Sequence, residues 1–351
     1  MKTGSQSGRH HREQAGWAGL GVRRMARGLL LVLLALLPGS LARAEAIPDG
    51  LLGDWTLAMT SGEAGWLSVS EDAGQPSVAM MVNVGTIRPL KGVEVRDGKI
   101  HIPQKTSRKG KNGPIISRSK ATVWSEDGRL KGEVVTTFPD GKTVRDPFTG
   151  KSIPPMPPAP DLSKVKFGKP ITLFNGKDLT GWRLRRPEKL DGWSVEEGLL
   201  VNNTPKTDFS ATGAYGNLRT DAVFGDFKLH IEFLIEKDRN SGVYLRGMYE
   251  AQVVDRDSRM QGLQGVGAIF SRVAPSENAG FEGGKWQTYD LTLVDRHITV
   301  VLNGVKVIDN HPVPGPTGGA MHTDPMAPGP IYLQGDHTSV KYRNIVLTPV
   351  E

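Results

Sequence analysis

The stretch from Ser241 to Asp255 alternates apolar residues with large polar ones. Successive side chains of a β-strand point to opposite faces, so one face of this stretch is apolar and the other carries groups that could do chemistry. Those groups are Tyr244, Arg246, Glu250 and Gln252. An aromatic ring beside a guanidinium, a carboxylate and an amide suits the binding of a sugar. The exposed face of an ordinary β-sandwich remains the alternative.

A second polar group lies in the segment from Gly329 to His337. Gln334 and Asp336 share one strand face, and His337 follows at the end of the strand. Histidine is the usual general base near neutral pH. Asp336 and His337 are adjacent and would face apart on a regular strand, so an oriented pair requires a turn at Gly335. A structural histidine that binds a loop carbonyl is the alternative.

Carboxylates offer further alternatives. Glu250 beside Arg246 is either an ion pair that fixes geometry, or a general base, a hydroxyl acceptor or a metal ligand. Glu232, on the polar face of another strand, would allow glycoside hydrolysis by two carboxylates if the pair were about 5–10 Å apart. Asp255 could ligate a divalent metal such as calcium, which prefers oxygen ligands from loops, although no EF-hand-like spacing is present. The sequence therefore assigns no definite cofactor.

The elements that must position these residues are strands. Between residues 45 and 150, short β-prone runs flank the dipeptides Asp97-Gly98, Asp127-Gly128 and Asp140-Gly141, which are strong hairpin signals. This pattern predicts a small antiparallel β-barrel or meander. The proline-dense segment Ile153–Asp161 predicts an extended linker over residues 151–168.

The second part of the chain, residues 169–351, is also predicted to be nearly all β. Apolar and polar residues alternate from Phe227 to Glu236, and Asn303-Gly304 predicts a hairpin turn. Further strands are expected at Trp286–Val294 and Val340–Leu347, the first of them opening on an aromatic-rich motif. Many strands without helices favour a two-sheet sandwich or jelly roll.

Charge and composition exclude several classes of function. The formal net charge is +7, but basic residues concentrated in the first 44 positions account for nearly all of it. The near-neutral remainder has no strong field for phosphates, so we do not expect a nucleic-acid partner. The chain has no cysteine, which excludes disulfides, thiol nucleophiles and thiolate metal sites.

The N-terminal residues 1–44 have the parts of a signal peptide. Basic residues at Arg23, Arg24 and Arg27 precede the apolar run from Gly28 to Leu37, and Ala42-Arg43-Ala44 fits a cleavage site. The apolar run is short for a membrane span, so no stable span is expected after cleavage, although an uncleaved anchor is the alternative. Export without disulfides fits a periplasmic or secreted bacterial protein. Translation could start at Met1 or Met25.

Eight motifs of the second part occur in a distinctive order. They are Leu173–Trp182, Trp193–Leu200, Asp226–Leu229, Asn240–Arg246, Tyr249–Asp255, Trp286–Asp290, Leu302–Gly304 and Gly329–His337. Together they resemble the 3-keto-disaccharide hydrolase family over about residues 169–348. The resemblance implies a concanavalin-A-like jelly roll and a substrate whose sugar carries a ketone at carbon 3. It does not extend to residues 45–150.

Such a ketone would acidify the hydrogen on carbon 2, so a base could remove it, and the group on carbon 1 could leave before water adds back. From the side-chain chemistry at the matched motif positions, His337 or Glu250 is the expected base, and Arg246 or a divalent metal the enolate stabiliser. The expected substrate contacts are Tyr244, Gln252, Trp286, Gln334, Asp336 and Glu232. The alternatives are a carbohydrate-binding module without catalysis and a structural envelope protein. The leaving group, the oligomeric state and the role of residues 45–150 stay open.

Overall fold

The protein is described by a computed structural model of residues 45–351, excluding residues 73, 111–112 and 206–212 and the side chains of 106–110 and 113–115. The expected signal peptide, residues 1–44, lies outside the described residues. One compact unit extends from Ala44 to Glu351. No helix of the described part has the length and apolar composition that a membrane crossing requires. Two short 3₁₀ turns occur, at Asp49–Leu51 and Gly262–Gln264.

Eight antiparallel strands form the first sheet. They are β1 (Gly53–Met59), β2 (Ala64–Asp72), β3 (Gln75–Val82), β4 (Glu94–Arg96), β5 (Lys99–Gly110), β6 (Gly113–Glu126), β7 (Arg129–Thr137) and β8 (Thr143–Ile153). Their spatial order is β3-β2-β1-β8-β7-β6-β5-β4, so β1 and β8 join two meanders. The expected barrel or meander is confirmed as a nearly closed sheet whose edges are β3 and β4.

The predicted Asp-Gly turns connect strands of this sheet. Asp97 and Gly98 join β4 to β5, and both have positive φ, at 54° and 68°. Asp127 and Gly128 join β6 to β7 in the same conformation, at 51° and 71°. Two successive left-handed residues define the type I′ turn, whose twist matches that of the flanking strands.

Thirteen further strands follow. They are β9 (Ile171–Thr172), β10 (Trp182–Leu184), β11 (Trp193–Glu196), β12 (Leu199–Asn202), β13 (Leu218–Thr220), β14 (Phe227–Leu234), β15 (Ser241–Leu245), β16 (Tyr249–Val253), β17 (Trp286–Val294), β18 (His297–Leu302), β19 (Val305–Pro312), β20 (Tyr332–Leu333) and β21 (Val340–Pro349). One sheet has the order β10-β13-β20-β15-β16, and the other has the order β11-β12-β21-β14-β17-β18-β19, with β9 on β21.

The two sheets enclose one apolar core, which confirms the expected all-β jelly-roll sandwich. Strand β14 shows why: Phe227, Leu229, Ile231 and Phe233 are buried in this core, while the residues between them are more exposed. From the other sheet, β15 contributes Val243 and Leu245. Burial of these side chains contributes about 1.5–3 kcal/mol each, which makes the core the main source of stability.

The proline-rich segment between the first sheet and the sandwich lies against the sandwich. Arg296 donates from Nη1 to the carbonyl of Pro154 at 2.9 Å and from Nη2 to the carbonyl of Pro155, and Asn310 Nδ2 donates to Pro160 O at 2.8 Å. The last strand of the first sheet, β8, continues to Ile153. The segment is thus fastened to its neighbour, and the expected domain boundaries remain a prediction.

Candidate active site

The hairpin of β15 and β16 separates apolar from polar side chains. Tyr244 lies opposite Glu250, and Gly242 lies opposite Gln252. The intervening Val243, Ala251 and Val253 enter the core. Tyr244, Glu250 and Gln252 instead line a cavity of about 490 Å³, which is within the size range of small-molecule sites.

Six of the sequence-predicted residues meet at this cavity. They are Tyr244, Glu250, Gln252, Gln334, Asp336 and His337. The first three come from β15 and β16, and the last three come from the segment that follows β20. These parts of the chain meet because β15 pairs with β20 within the five-stranded sheet. The catalytic and binding roles of the six residues remain predictions.

Glu250 is a buried carboxyl at this cavity, with 3% of its surface exposed. A Cβ at position 242 would lie 2.3 Å from Glu250 Oε1, so glycine there leaves space for the carboxyl group. Gln334 Nε2 donates to Glu250 Oε1 at 3.4 Å. Burial raises the pKa of Glu250 to about 8; the nearby charge of Asp336 acts in the same direction, and the Tyr244 hydroxyl opposes it. Glu250 is therefore largely protonated at pH 7.

Asp336 and His337 form an oriented pair. His337 Nδ1 lies 2.7 Å from Asp336 Oδ1. On a regular strand these neighbours would face apart unless the chain turned at Gly335; the strand ends at Leu333, and the backbone bends just after Gly335, over residues 336–338. Asn217 Oδ1 accepts the backbone N–H groups of Gly335 and Asp336 at 2.7 and 2.9 Å, which holds the start of this bend. A carboxylate only accepts, so His337 Nδ1 is the donor in this contact, and Nε2 is the ring nitrogen that does not bond Asp336.

Two amide oxygens at the cavity suit the binding of hydroxyl groups. Oε1 of Gln252 and Oε1 of Gln334 are buried and accept no hydrogen bond within the described structure. The Gln252 side chain is oriented by its amide, which donates from Nε2 to Gln264 O at 3.1 Å. Buried acceptors normally have partners, so the hydroxyl groups of a polyhydroxylated ligand would supply the missing hydrogen-bond donors to these two oxygens.

Several cavity residues were missed by the sequence analysis. Arg185, Arg186 and Lys189 follow β10 and place cations at the cavity. Arg185 donates from Nη1 to Gly319 O at 2.9 Å, and its guanidinium lies 5.5 Å from the ring centre of Tyr332. The available signal was the basic run that follows Trp182. Asn217 gave no local signal, because its role depends on contacts with the distant Gly335 turn.

Arg246 lies outside the cavity, contrary to the sequence expectation. It begins the turn between β15 and β16, with a φ of 54°. Side chains alternate between the two sheet faces only within a strand, so Arg246 does not continue the face of Tyr244. Its side chain is buried and pairs with Asp226 Oδ1 at 3.2 Å. It also donates to the carbonyls of Pro325 and Ala327. Arg246 therefore fixes a loop, and we remove it from the set of catalytic candidates.

Glu232 and Trp286 also lie away from the cavity, in the other sheet. Glu232 accepts hydrogen bonds from Arg343 Nε at 2.7 Å and Asn344 Nδ2 at 2.5 Å. The Arg343 guanidinium lies 4.0 Å from the ring centre of Trp286. These residues form a polar cluster on β14, β17 and β21. This placement does not support the expectation that Glu232 and Trp286 contact the substrate. It also does not support hydrolysis by two carboxylates, which required Glu232 to lie near Glu250.

Asp255 is oriented by backbone groups and lies outside the cavity. Its Oδ2 accepts from the N–H of Asp238 at 2.9 Å, and its Oδ1 accepts from the N–H of Asp257 at 3.1 Å. Across residues 45–351, apart from those not described, no three histidine, aspartate or glutamate side chains form a group that could hold a metal. Both carboxylate oxygens of Asp255 thus accept from backbone N–H groups, and the suggested calcium site there stays a prediction.

The cavity brings together the Asp336–His337 pair, a buried carboxyl group with a raised pKa, two amides whose oxygens accept no hydrogen bond within the described structure, and three cations. A base and a nearby acid are the groups needed to remove a proton next to a carbonyl and to stabilise the resulting enolate. A neutral carboxylic acid in an apolar site can donate the required hydrogen bond, as in ketosteroid isomerase.

Comparisons with known proteins place the second part of the chain in a family. Residues 169–348 match the model of the 3-keto-alpha-glucoside-1,2-lyase-like domain. A 3-keto-disaccharide hydrolase from Bacteroides thetaiotaomicron is 31% identical over 75 residues, which is 21% of this chain and 26% of that protein. The chain therefore aligns with about a quarter of this curated relative's length.

Solved structures with similar backbones include enzymes of carbohydrate cleavage. A Parabacteroides distasonis protein provisionally described as a glycosyl hydrolase has 18% sequence identity and a TM-score of 0.41, covering 52% of this chain and 94% of its own. SCLam, a non-specific endo-beta-1,3(4)-glucanase, has 14% identity and a TM-score of 0.34, covering 57% of this chain and 94% of its own.

Proposed function

The chain belongs to the family of 3-keto-alpha-glucoside-1,2-lyase-like domains, and on this basis we propose that it cleaves glycosides whose sugar carries a ketone at carbon 3. The observation that carries the proposal is the meeting of a His–Asp pair and a protonated, buried Glu250 in one cavity. The hydroxyl-binding Gln252 and Gln334 support a sugar as the ligand.

The first step is proton removal. His337 Nε2 takes the proton from carbon 2, and the C–H electron pair forms the carbon 2–carbon 3 double bond of an enolate, with negative charge on the carbon 3 oxygen. Asp336 holds the imidazole and stabilises the imidazolium that forms, as in other oriented histidine bases. The protonated Glu250 donates a hydrogen bond to the developing oxyanion.

The next steps break and remake the bond at carbon 1. The enolate electrons re-form the ketone and make a carbon 1–carbon 2 double bond, while the carbon 1–oxygen bond breaks and the leaving group takes its electron pair and a proton. Water then adds hydroxide to carbon 1 and a proton to carbon 2. The sum is hydrolysis without net oxidation, because the substrate already carries the ketone.

Turnover of a defined substrate tests the proposal. Purified residues 45–351 should release methanol from methyl 3-keto-glucoside. His337→Ala should lower kcat by about 10²–10⁴-fold, the usual contribution of a general base, with a much smaller change in KM. The exposed His311→Ala is the matched control, because His311 lies on β19 and bonds only the carbonyl of Pro312 in the described structure.

The outcomes separate the candidate functions. Binding of the 3-keto-glucoside without turnover would refute the enzyme proposal and favour a carbohydrate-binding module. Equal activity in wild type and His337→Ala would show that His337 is not the base.

We also propose export to the periplasm or exterior, which rests on the sequence pattern of residues 1–44. N-terminal sequencing of the mature protein from the native cell should give Glu45 as the first residue. An intact Met1 or Met25 terminus would contradict processing at the proposed site.

A further inference from the structure

One wall of the cavity comes from the first sheet, outside the residues that match the family. The segment Asn83–Thr86 follows β3 and lines the cavity together with Arg185, Tyr244 and Glu250. The family match begins only at residue 169. This wall is thus an addition that the family domain itself does not supply.

The segment is held firmly in place. Asn83 adopts a φ of 65°, a left-handed conformation that asparagine tolerates better than most residues. Its carbonyl accepts from the N–H of Gly319 at 2.8 Å. A Cβ at Gly318 would lie 2.4 Å from Gly85 O, so the two backbones are in direct contact. Gly318 O in turn accepts from the Tyr244 hydroxyl at 2.8 Å, which connects the segment to the cavity interior.

Another contact fastens the same region from the cavity side. Arg186 Nη2 donates to Glu63 Oε1 at 2.8 Å, which joins the loop after β10 to the loop before β2. Arg186 lines the cavity that contains Glu250. These contacts hold the segment Asn83–Thr86 at the cavity as one of its walls, and the exposed side chains of the segment border the cavity.

A second cavity, of about 880 Å³, adjoins the first at this wall. It is lined by the same four residues and by side chains of the first sheet. Its lining is mixed: the apolar members are Met80, Met81, Val82, Val84, Pro89, Leu90, Pro103, Val134 and Phe138, and the polar members include Gln104, Ser119 and Thr136. Val84 belongs to both cavities and is 68% exposed. Single exposed valines are ordinary, but this one lies where two cavities meet.

The chemistry of the second cavity suits an aromatic group. Its aliphatic and aromatic side chains give a flat apolar ring a surface to pack on, and its hydroxyl and amide side chains can bond polar substituents of that ring. The exposed Arg88 and Lys91 line the same cavity, and such cations interact favourably with the face of an aromatic ring. An aromatic ring satisfies both the apolar surface and the cations.

We propose that the Asn83–Thr86 wall and the second cavity bind the leaving group, and that this leaving group is a phenol. This inference rests on the proposed cleavage of 3-keto-glycosides, whose sugar would occupy the first cavity. The first sheet then determines which glycosides the enzyme accepts, and Val84 contacts the aryl ring.

Two measurements test the inference on wild type and Val84→Asp. The first is calorimetric binding of phenyl glucoside and of methyl glucoside, which needs no turnover. The second is kcat/KM on the corresponding 3-keto-glucosides. Val144→Asp is the matched control, because Val144 is also exposed, at 43%, on β8 of the same sheet, and it belongs to neither cavity.

The expected result is at least about tenfold tighter binding of the phenyl than of the methyl glucoside by wild type, as for an added apolar contact. Val84→Asp should lower kcat/KM about tenfold for the phenyl substrate and less than twofold for the methyl substrate. Comparing the variant with wild type on the same substrate cancels the intrinsic reactivity of phenol as a leaving group. Val144→Asp should behave as wild type.

The failures are distinguishable. Equal binding of phenyl and methyl glucoside by wild type overturns the inference, whatever the turnover. An equal effect of Val84→Asp on both substrates, or no effect on either, also overturns it. Preferential binding of the phenyl glucoside without turnover of any 3-keto-glucoside would refute the proposed reaction and leave the aryl-binding surface intact.

Discussion

Glu250 illustrates how a proposed site residue can reduce stability. Its carboxyl group is almost fully buried and has no cation beside it among the causes that shift its pKa. Ionisation of such a group is costly because water no longer solvates the charge. The protein retains it at a position where Gly242, on the neighbouring strand, is needed to make room, which is the pattern expected of a site residue rather than of a packing residue.

Replacing Glu250 should therefore stabilise the fold in a pH-dependent way. The pKa of Glu250 is raised from 4.5 to about 8, so the folded state retains its proton over a range where the unfolded state has lost it. The contribution of this group to the free energy of unfolding is fully present below about pH 4.5 and is lost as the pH rises to about 8. At pH 8 we expect the free energy of unfolding of Glu250→Gln to exceed that of wild type by on the order of a few kcal/mol, so that the variant unfolds at a higher temperature, with little difference at pH 4.

Thermal unfolding of both proteins between pH 4 and 9 measures this effect. The exposed Glu188→Gln is the control and should follow wild type. A stability difference between Glu250→Gln and wild type that stays constant with pH would contradict the raised pKa.

At the scale of elements, local patterns predicted most of the strands. The alternation of β14 and the Asp-Gly turns were predicted because side-chain parity and left-handed turns are local properties of the chain. The polar face of β15 and β16 was predicted for the same reason, as far as Tyr244, Glu250 and Gln252. Arg246 was misplaced because the strand ends at Leu245, and alternation has no meaning within a turn.

The rest of the site depends on contacts between distant parts of the chain. The Asp336–His337 pair forms because Asn217 binds the backbone at Gly335, and neither local periodicity nor residue type encodes that contact. Glu232 and Trp286 have the right chemistry for a sugar site but belong to the opposite sheet. Strand order, which a single sequence does not specify, decided which polar faces share a cavity.

Gly242 provides a test of how the hairpin positions its carboxyl group. Gly242→Ala would bring Cβ within 2.3 Å of Glu250 Oε1, so the Glu250 side chain must move. Since a displacement of about 1 Å at a reacting group can cost about 100-fold in rate, we expect kcat on methyl 3-keto-glucoside to fall by that order while the variant remains folded.

The matched control is Gly225→Ala, where an added Cβ would meet nothing within 4 Å. Steady-state kinetics and circular dichroism on both variants would measure the effect. A fully active Gly242→Ala variant would contradict the role assigned to Glu250.

At the scale of the whole molecule, the first sheet and the sandwich are packed together. Trp66, Met81, Ile87 and Ile153 of the first part form an apolar cluster with Ala320. The Arg272 guanidinium lies 4.5 Å from the ring centre of Trp66. Thr323 Oγ1 donates to Gly65 O at 2.5 Å, and Lys151 pairs with Asp324 at 2.7 Å. These contacts make the first sheet a structural part of the site.

Residues 45–351 should consequently unfold in a single cooperative transition. Differential scanning calorimetry should give one endotherm whose calorimetric and van't Hoff enthalpies agree. Trp66→Ala, which removes the largest side chain of the shared cluster, should lower the unfolding temperature and separate two transitions. Trp124→Ala on β6, outside that cluster, is the control. Two separate transitions in wild type would contradict the coupling.

The most direct test of the account is the pH dependence of kcat/KM, because it reports the protonation state of the free enzyme. If the protonated Glu250 stabilises the enolate, wild-type kcat/KM on methyl 3-keto-glucoside should fall as the pH rises through about 8, the pKa of Glu250. Glu250→Gln keeps an N–H donor and should retain measurable activity without this decline. A wild-type rate that instead rises through pH 8, with activity abolished in Glu250→Gln, would contradict the account and identify Glu250 as the base.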